Sequence, residues 1–196
     1  MSLANFLSQC AESSYPEPRS EGHTLITGTM LAKVAPMMKP GGMALDVGCG
    51  AGPALEWFEE NNIPALGITV NESDLMACRN LGFTVAKHDQ NSMDLPNKRF
   101  ALVWARHVLE HSICPMWTLR EYNRVLEDGG ILYVEVPGPD TPCFHETNAN
   151  HYSVLGWKAW HSLIGRSGFE IVEAAQIDIQ TPLGGDRYFY FIARKQ

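Results

Sequence analysis

The stretch "ALDVGCGAG", residues 44–52, constrains the fold more than any other part of the chain. Its first four residues are typical of a buried strand, and three glycines spaced two apart follow directly. Because proline suits the first turn of a helix, Pro53 and the residues after it predict a helix over 53–62. A strand, a glycine turn and a helix in this order are the usual ligand cradle of an open parallel sheet, since glycine lets the backbone approach a ligand.

Strand-like and helix-like patterns alternate along the chain, which favours a mostly parallel sheet covered by helices. The sequence predicts strands over residues 43–48, 64–70, 83–89, 100–106, 131–138, 169–179 and 187–195. It predicts helices over residues 21–38, 53–62, 71–82, 118–130 and 155–168. The link between the last two strands, 180–186, is too short for a crossover helix, so we expect these strands to pair antiparallel.

Length and charge exclude several classes of protein. A chain of 196 residues with 45% hydrophobic content suffices for one core, so we expect a single domain over 1–196, with a polar segment at 1–22 and a loop at 138–152. A net charge of -7 is opposite in sign to that of a typical nucleic-acid binder. No stretch has the apolar length of a membrane span or the pattern of a secretory leader. We therefore expect a cytoplasmic protein without nucleic-acid or membrane partners.

The cysteines and the glycine spacing narrow the choice of ligand. Five scattered cysteines without a C-x-x-C pair predict reduced thiols, not a disulfide framework or a zinc cluster. A dinucleotide fingerprint would need a third glycine at position 53, where the chain has Pro53, and an acid about 20 residues further on. Both features are absent, which disfavours a nicotinamide dinucleotide.

The glycine spacing instead resembles the first motif of the class I S-adenosylmethionine-dependent methyltransferases. Three further stretches are similar to that family, in order and at its spacing: "LPNKRFALVWARHVLEH", "LREYNRVLEDGGILYVEVP" and "RSGFEIVE". The resemblance covers roughly residues 43–175. It implies an α/β fold with a Rossmann-like, doubly wound, seven-stranded sheet of order 3-2-1-4-5-7-6, the last strand being antiparallel. It also implies S-adenosyl-L-methionine as the cofactor and S-adenosyl-L-homocysteine as its product.

The resemblance also assigns residues to the cofactor. These are Asp46, Gly48, Cys49, Gly50, Gly52, Thr69, Asn71, Asp89, Ser92, Met93, Arg106 and His107. By analogy, Asp46 and the glycines hold the methionine and ribose portion, Asp89 accepts a hydrogen bond from the adenine amino group, and Ser92 and Met93 lie against the purine. Arg106 and His107 approach the reactive methyl group. The chain departs from the family at Thr69, where an acid usually binds the ribose hydroxyls; Asn71 or Glu72 would be its substitute. Ala101 likewise replaces a usual aspartate.

Catalysis by such a protein needs little beyond orientation, because the cofactor carries its own leaving group. A hydroxyl or amine acceptor also needs a general base, and His107 and His151 are the candidates. The loop at 138–152 follows the fifth strand, where the resemblance places the acceptor, and it offers His145, Glu146 and Tyr152. Spacing in a loop fixes no ligand geometry, so no metal site is predicted.

The function predicted from the sequence is methyl transfer from S-adenosylmethionine to a small molecule. Two alternatives remain open. Thr69 and Ala101 also fit a cofactor-binding module that is catalytically silent and acts through a partner. The second alternative is a short-chain NAD-dependent oxidoreductase. Binding of S-adenosylhomocysteine compared with NAD distinguishes the methyltransferase fold from the oxidoreductase, and turnover distinguishes an enzyme from a silent module.

Overall fold

A computed structural model describes residues 3–12 and 20–196 of the chain. The strands are β1 (Ala44–Val47), β2 (Ala65–Thr69), β3 (Val85–Lys87), β4 (Phe100–Arg106), β5 (Leu126–Pro137), β6 (Phe169–Thr181) and β7 (Gly184–Lys195). The helices are α1 (Leu3–Glu12), α2 (Glu21–Val34), α3 (Pro53–Glu60), α4 (Glu72–Asn80), α5 (Pro115–Val125) and α6 (Trp157–Arg166). The strands form one sheet of order β3-β2-β1-β4-β5-β7-β6, which confirms the predicted topology.

Helices cover both faces of the sheet, so the fold is doubly wound. On one face, Leu31 of α2 and Phe58 of α3 pack with Trp104 of β4 in one buried cluster. On the other face, Tyr122 of α5 and Trp160 of α6 belong to a second cluster that holds the alternate residues of the same strands. Successive strand residues point to opposite faces, and β4 is therefore apolar on both. This is why "FALVWAR" is a continuous hydrophobic run.

Strands β1 to β5 are parallel, and β7 pairs antiparallel with both β5 and β6. Thr181 of β6 pairs with Gly184 of β7, so only two residues turn the hairpin. The antiparallel pairing inferred from the short link is confirmed. Of the described residues, none belongs to a helix long and apolar enough to cross a membrane.

Two of the predicted helices have wrong boundaries. The helix predicted over 118–130 begins earlier, at Pro115, and ends at Val125, because Leu126 already pairs with Phe100 and "LEDGG" enters β5 through an irregular register. The helix predicted over 21–38 ends at Val34, and a 3-10 turn over Ala35–Met37 follows. Its Pro36 lacks the N–H that would continue the α-helix. Within the predicted polar segment 1–22, α1 is described, and residues 13–19 lie outside the described residues.

Candidate active site

A cleft of about 250 Å³ opens at the carboxyl ends of β1, β2 and β4. Strand β1 lies between β2 and β4, so the chain leaves the sheet in opposite directions on either side of it. Ligands of open α/β sheets bind at such a switch point. Residues from the glycine turn, the end of β2, the segment 88–91 and the end of β4 line this cleft, with further contributions from α1, α2 and the loop before α6.

The three glycines of the turn serve different purposes. All have positive φ: +69° at Gly48, +50° at Gly50 and +82° at Gly52. A Cβ at Gly48 would lie 2.7 Å from Val108, and one at Gly52 would lie 3.0 Å from Phe83. At Gly50, by contrast, a Cβ would meet no described atom within 4 Å. Packing therefore requires glycine at the first and third positions, whereas the second keeps open the space into which the cleft extends.

Asp46, at the end of β1, is a carboxylate that lacks a full set of partners. Its side chain is 3% exposed, and Oδ2 is buried without a hydrogen-bond partner in the described chain. Burial is the main cause that raises the pKa of Asp46 to about 8. At this pKa the ligand-free side chain holds a proton at neutral pH, and a ligand that brings a cationic group, such as the ammonium of a bound amino acid, favours its ionised form. Asp46 lines the cleft, so a ligand there can supply such a group.

A carboxylate that the sequence analysis missed lies shortly after β2, in the first turn of α4. Thr69 is buried and lines the cleft, and its hydroxyl oxygen accepts a hydrogen bond from the Asn71 N–H at 3.1 Å. The Asn71 side chain accepts from the Ser73 N–H at 2.9 Å and so caps α4. Asp74, in the first turn of α4, is 8% exposed and lines the cleft.

Glu72, the other acid in the first turn of α4, lies away from the cleft. Its carboxylate pairs with Lys87 at 3.0 Å on the surface, and the described lining of the cleft does not include it. Helical geometry explains the difference: a residue three positions after the cap returns to the side of the helix that faces the sheet, whereas the residue next to the cap points outward. A search for carboxylates on the inward face of the predicted helix would have found Asp74.

The segment after β3 differs from the expectation. Asp89 lines the cleft, and its Oδ1 accepts from the backbone N–H and the side chain of Asn91, both at 2.7 Å. Ser92 is exposed and Met93 belongs to the buried core, so neither is among the described residues that line the cleft. A tight turn between Asp89 and Ser92 is the physical reason, because it directs the next residues away from the ligand side. Gln90 and Asn91 line the cleft in their place.

A buried charge cluster lies at the end of β4. Arg106 Nε is 2.8 Å and His107 Nε2 is 3.0 Å from Oε1 of Glu135, a residue of β5 with no exposed surface. The Tyr133 hydroxyl donates to the other oxygen of Glu135 at 2.5 Å. Burial raises the pKa of Glu135, but His107 and Arg106 outweigh it and lower that pKa to about 2. The two cations and the carboxylate thus stabilise one another.

His107 does not have the properties of the predicted general base. Burial lowers its pKa, but the carboxylates of Glu110, at 3.5 Å, and Glu135 outweigh this effect and raise the pKa of His107 to about 9. At neutral pH the ring is therefore an imidazolium, which cannot accept a proton. His107 and Arg106 both line the cleft, so they present positive charge to it.

The loop before α6 packs against strand β7. His145 Nε2 lies 3.0 Å from both carboxylate oxygens of Asp186, and its ring stacks on that of His151 with centroids 5.7 Å apart. Tyr188 contacts the His107 ring edge-on, with centroids 4.3 Å apart. Burial is the main cause that lowers the pKa of His151.

Of the predicted acceptor residues, Tyr152 lines the cleft. Asn150 from the same loop also lines it, whereas His145, Glu146 and His151 lie outside its described lining. Glu146 accepts a hydrogen bond from the Asp140 N–H and so stabilises its own loop. Of the predicted cofactor residues, Asp46, Gly48, Cys49, Gly50, Thr69, Asn71, Asp89, Arg106 and His107 line the cleft. Gly52 lies next to this lining as the N-cap of α3.

Comparison with known proteins agrees with this architecture. A family model described as "Methyltransferase domain" matches residues 27–174. The chain belongs to this family. The match confirms the resemblance to class I S-adenosylmethionine-dependent methyltransferases, and S-adenosylmethionine is the cofactor that this membership implies. Asp46 and Gly50 fit that cofactor, since one needs a donor and the other leaves room for a ligand.

Individual relatives share only a small part of their sequence with this chain. A 27-O-demethylrifamycin SV methyltransferase from Amycolatopsis mediterranei (strain S699) is 25% identical over 169 residues, which cover 77% of this chain and 62% of that protein. The chain thus matches less than two thirds of the length of this methyltransferase relative.

Among solved structures, an S-adenosylmethionine-dependent methyltransferase from Archaeoglobus fulgidus superimposes with a TM-score of 0.71 at 18% identity, over 99% of this chain and all of that one. The [4+2]-cyclase SpnF superimposes with a TM-score of 0.72 at 20% identity, over 98% of this chain and 92% of that one. At such identities the likeness concerns the fold, and the name of this cyclase shows that the fold also serves a reaction other than methyl transfer.

Proposed function

We propose that this family member transfers a methyl group from S-adenosylmethionine to a hydroxyl group of a small molecule. One observation carries the proposal. The carboxyl group of Asp46, which is buried and lacks a partner for one oxygen, lies at the switch point of the sheet together with the open space beside Gly50. The Amycolatopsis relative supports a small acceptor, since its name describes an O-methylation of a demethylrifamycin. The cofactor supplies the methyl group bound to a sulfonium, which is its own leaving group.

The residues along the cleft divide the work of holding the cofactor. Asp46 and the turn from Gly48 to Gly52 would bind the methionine portion, through the carboxylate and the exposed backbone. Asp74 and Thr69 would bind the ribose hydroxyls. Asp89, with Gln90 and Asn91 beside it, would bind the adenine edge. The chain's contribution to the reaction is then orientation and the exclusion of water.

The acceptor would enter from the side of Tyr152 and Asn150. His107 and Arg106 bring positive charge to the same cleft, which favours an acceptor hydroxyl that develops negative charge as it loses its proton. His151 is the remaining candidate for the base. Its ring lies behind the cleft wall, against His111 with centroids 4.9 Å apart, so proton transfer would pass through His111 or a water molecule.

Calorimetry followed by a transfer assay tests the proposal. We expect one equivalent of S-adenosylhomocysteine to bind and NAD not to bind. Transfer of a labelled methyl group from S-adenosylmethionine to a panel of hydroxylated aromatic and macrocyclic compounds then tests turnover. Binding of NAD alone would contradict the family cofactor. Binding of S-adenosylhomocysteine with no transfer to any acceptor would favour the silent module.

A further inference from the structure

Three side chains at the edge of the cleft, one of them His111 of its lining, bring possible ligand atoms together. One carboxylate oxygen of Glu110 and one ring nitrogen each of His111 and His151 all lie within 4.8 Å of one another. Glu110 and His111 belong to the 3-10 turn Leu109–His111 after β4, and His151 comes from the loop before α6. We propose that these three residues form a binding site for a divalent transition metal, and that Zn²⁺ is the ion that best fits the donor set.

Two polar atoms of this cluster are buried and lack partners. Glu110 is 2% exposed, and its Oε2 has no hydrogen-bond partner within the described residues. Nδ1 of His151 is also buried and has no hydrogen-bond partner there. Buried polar atoms are nearly always paired in folded proteins, because an unpaired one loses its hydration without compensation. A bound cation would satisfy the carboxylate and the imidazole lone pair together.

Hydrogen bonds and contacts from neighbouring groups orient the side chains of the cluster in a way that is typical of metal ligands. Nδ1 of His111 lies 2.8 Å from the carbonyl oxygen of Asn150. A carbonyl only accepts, so Nδ1 carries the proton and Nε2 keeps its lone pair. A carbonyl that orients a histidine in this way is typical of metal sites. Glu110 is held through its other oxygen, since Oε1 is the atom 3.5 Å from Nδ1 of His107.

The donor set favours zinc over harder cations. Two imidazole nitrogens and one carboxylate oxygen are the ligands of catalytic zinc sites with an open fourth position, whereas Mg²⁺ and Ca²⁺ prefer oxygen alone. Zinc bonds of about 2.0–2.1 Å place tetrahedral ligand atoms roughly 3.4 Å apart. Atoms that lie within 4.8 Å of one another therefore need to approach by about 1.4 Å at most, which small side-chain rotations allow.

A second cluster, Cys143, His145 and Asp186, has comparable spacing but a different state. His145 already pairs with both carboxylate oxygens of Asp186, and Thr141 donates to Oδ1 of Asp186 at 3.0 Å. An ion there would have to break this pairing. An ion at Glu110 and His151 would instead give a partner to two buried atoms that have none. The second cluster also contains a thiol, which makes the two sites distinguishable by spectroscopy.

A metal at the proposed site would border the cleft, because His111 and Asn150 both line it. If the proposed function holds, an acceptor hydroxyl could take the open fourth position, and the ion would lower its pKa. The hydroxyl would lose its proton to solvent, since His151 cannot both bind the ion and act as the base through the same lone pair. Metal binding itself does not depend on methyl transfer.

Cobalt spectroscopy on the full chain without an affinity tag tests the site. After dialysis against a chelator, titration with Co²⁺ should give visible d–d bands of a four-coordinate ion at one equivalent, without a thiolate charge-transfer band, and Zn²⁺ should displace it. Glu110→Gln, which keeps the side-chain shape, and the double variant His111→Ala, His151→Ala should each lose at least tenfold in cobalt affinity. His161→Ala, at an exposed position of α6, and Cys143→Ser should bind as wild type does.

Three results would overturn the proposal. These are no cobalt bands with the wild-type chain, full affinity in the folded double variant, and a thiolate band that disappears in Cys143→Ser. Circular dichroism establishes that each variant is folded. S-adenosylhomocysteine binding, measured on the same samples, separates the two questions: a chain that binds it but not cobalt retains the proposed function and loses only the metal site.

Discussion

Asp46 should make the ligand-free protein less stable as the pH rises. Its pKa is about 8 in the folded chain and 3.8 as the ordinary value. Between these values the folded protein holds a proton that the unfolded chain releases, so the free energy of unfolding falls as pH increases, and the loss is complete above about pH 8. At about 1.4 kcal/mol per pH unit, the cost is on the order of 2 kcal/mol at pH 5.5 and 4 kcal/mol at pH 7.

The substitution Asp46→Asn removes this cost because an amide does not ionise. Relative to wild type, the free energy of unfolding of the variant should rise by about 3 kcal/mol between pH 5.5 and pH 8. Comparing two pH values cancels the constant cost of burying the new amide. The measurement is urea unfolding of both ligand-free proteins at each pH. Asp94→Asn, at an exposed position, is the matched control and should show a difference of less than about 0.5 kcal/mol.

The same substitution should weaken binding of S-adenosylhomocysteine by about tenfold or more, since the ligand's ammonium group loses a charged partner. Binding to the wild-type protein near pH 6.5 should also release a proton, which calorimetry in buffers of different ionisation enthalpy detects. A stability difference that does not change with pH would refute the reasoning about burial. An unchanged ligand affinity would refute the assignment of Asp46 to the methionine portion.

Three other substitutions test the rest of the site. Gly50→Val should abolish S-adenosylhomocysteine binding in a folded protein. Gly82→Val, also at a positive φ with open surroundings but outside the cleft lining, should bind normally; equal affinity in both variants would mean that the turn is only structural. Asp74→Asn should weaken calorimetric binding by roughly tenfold and the surface variant Glu72→Gln should not, and the reverse order would return the ribose contact to Glu72. Glu135→Gln should lower the free energy of unfolding by about 3 kcal/mol in urea titrations, because two buried cations lose their carboxylate; a loss below about 1 kcal/mol would contradict that pairing.

The sheet could be predicted from the sequence because its signals are local or come from the family resemblance. The continuous apolar run of β4 and the glycine turn after β1 each identify an element without knowledge of the rest. The start of β5 could not be found in this way. Leu126 leaves the helical pattern only because Phe100, 26 positions earlier, pairs with it, and no local signal reports that contact.

The site was predictable where one element determines it and not where several elements converge. Asp46 and Gly50 follow directly from the turn. The charge state of His107 does not, because it depends jointly on Glu110 in the next turn and on Glu135 from a strand more than 25 residues away. Met93 shows where reliance on a motif fails. Its place in the motif predicts contact with the purine, but a tight turn just before it directs its side chain into the core.

The position of β7 has a consequence for synthesis of the protein. This strand lies between β5 and β6 although it follows both in sequence, and its Asp186 and Tyr188 contact His145 and His107. As the chain leaves the ribosome, the glycine turn and the five parallel strands β1 to β5 can assemble while β5 still has an unpaired edge and β6 has no neighbour. The part of the cleft lined by the ends of β1, β2 and β4 can therefore form before β7 is in place. Until β7 is inserted, the exposed edge of β5 is the region of the nascent chain most open to pairing with another strand.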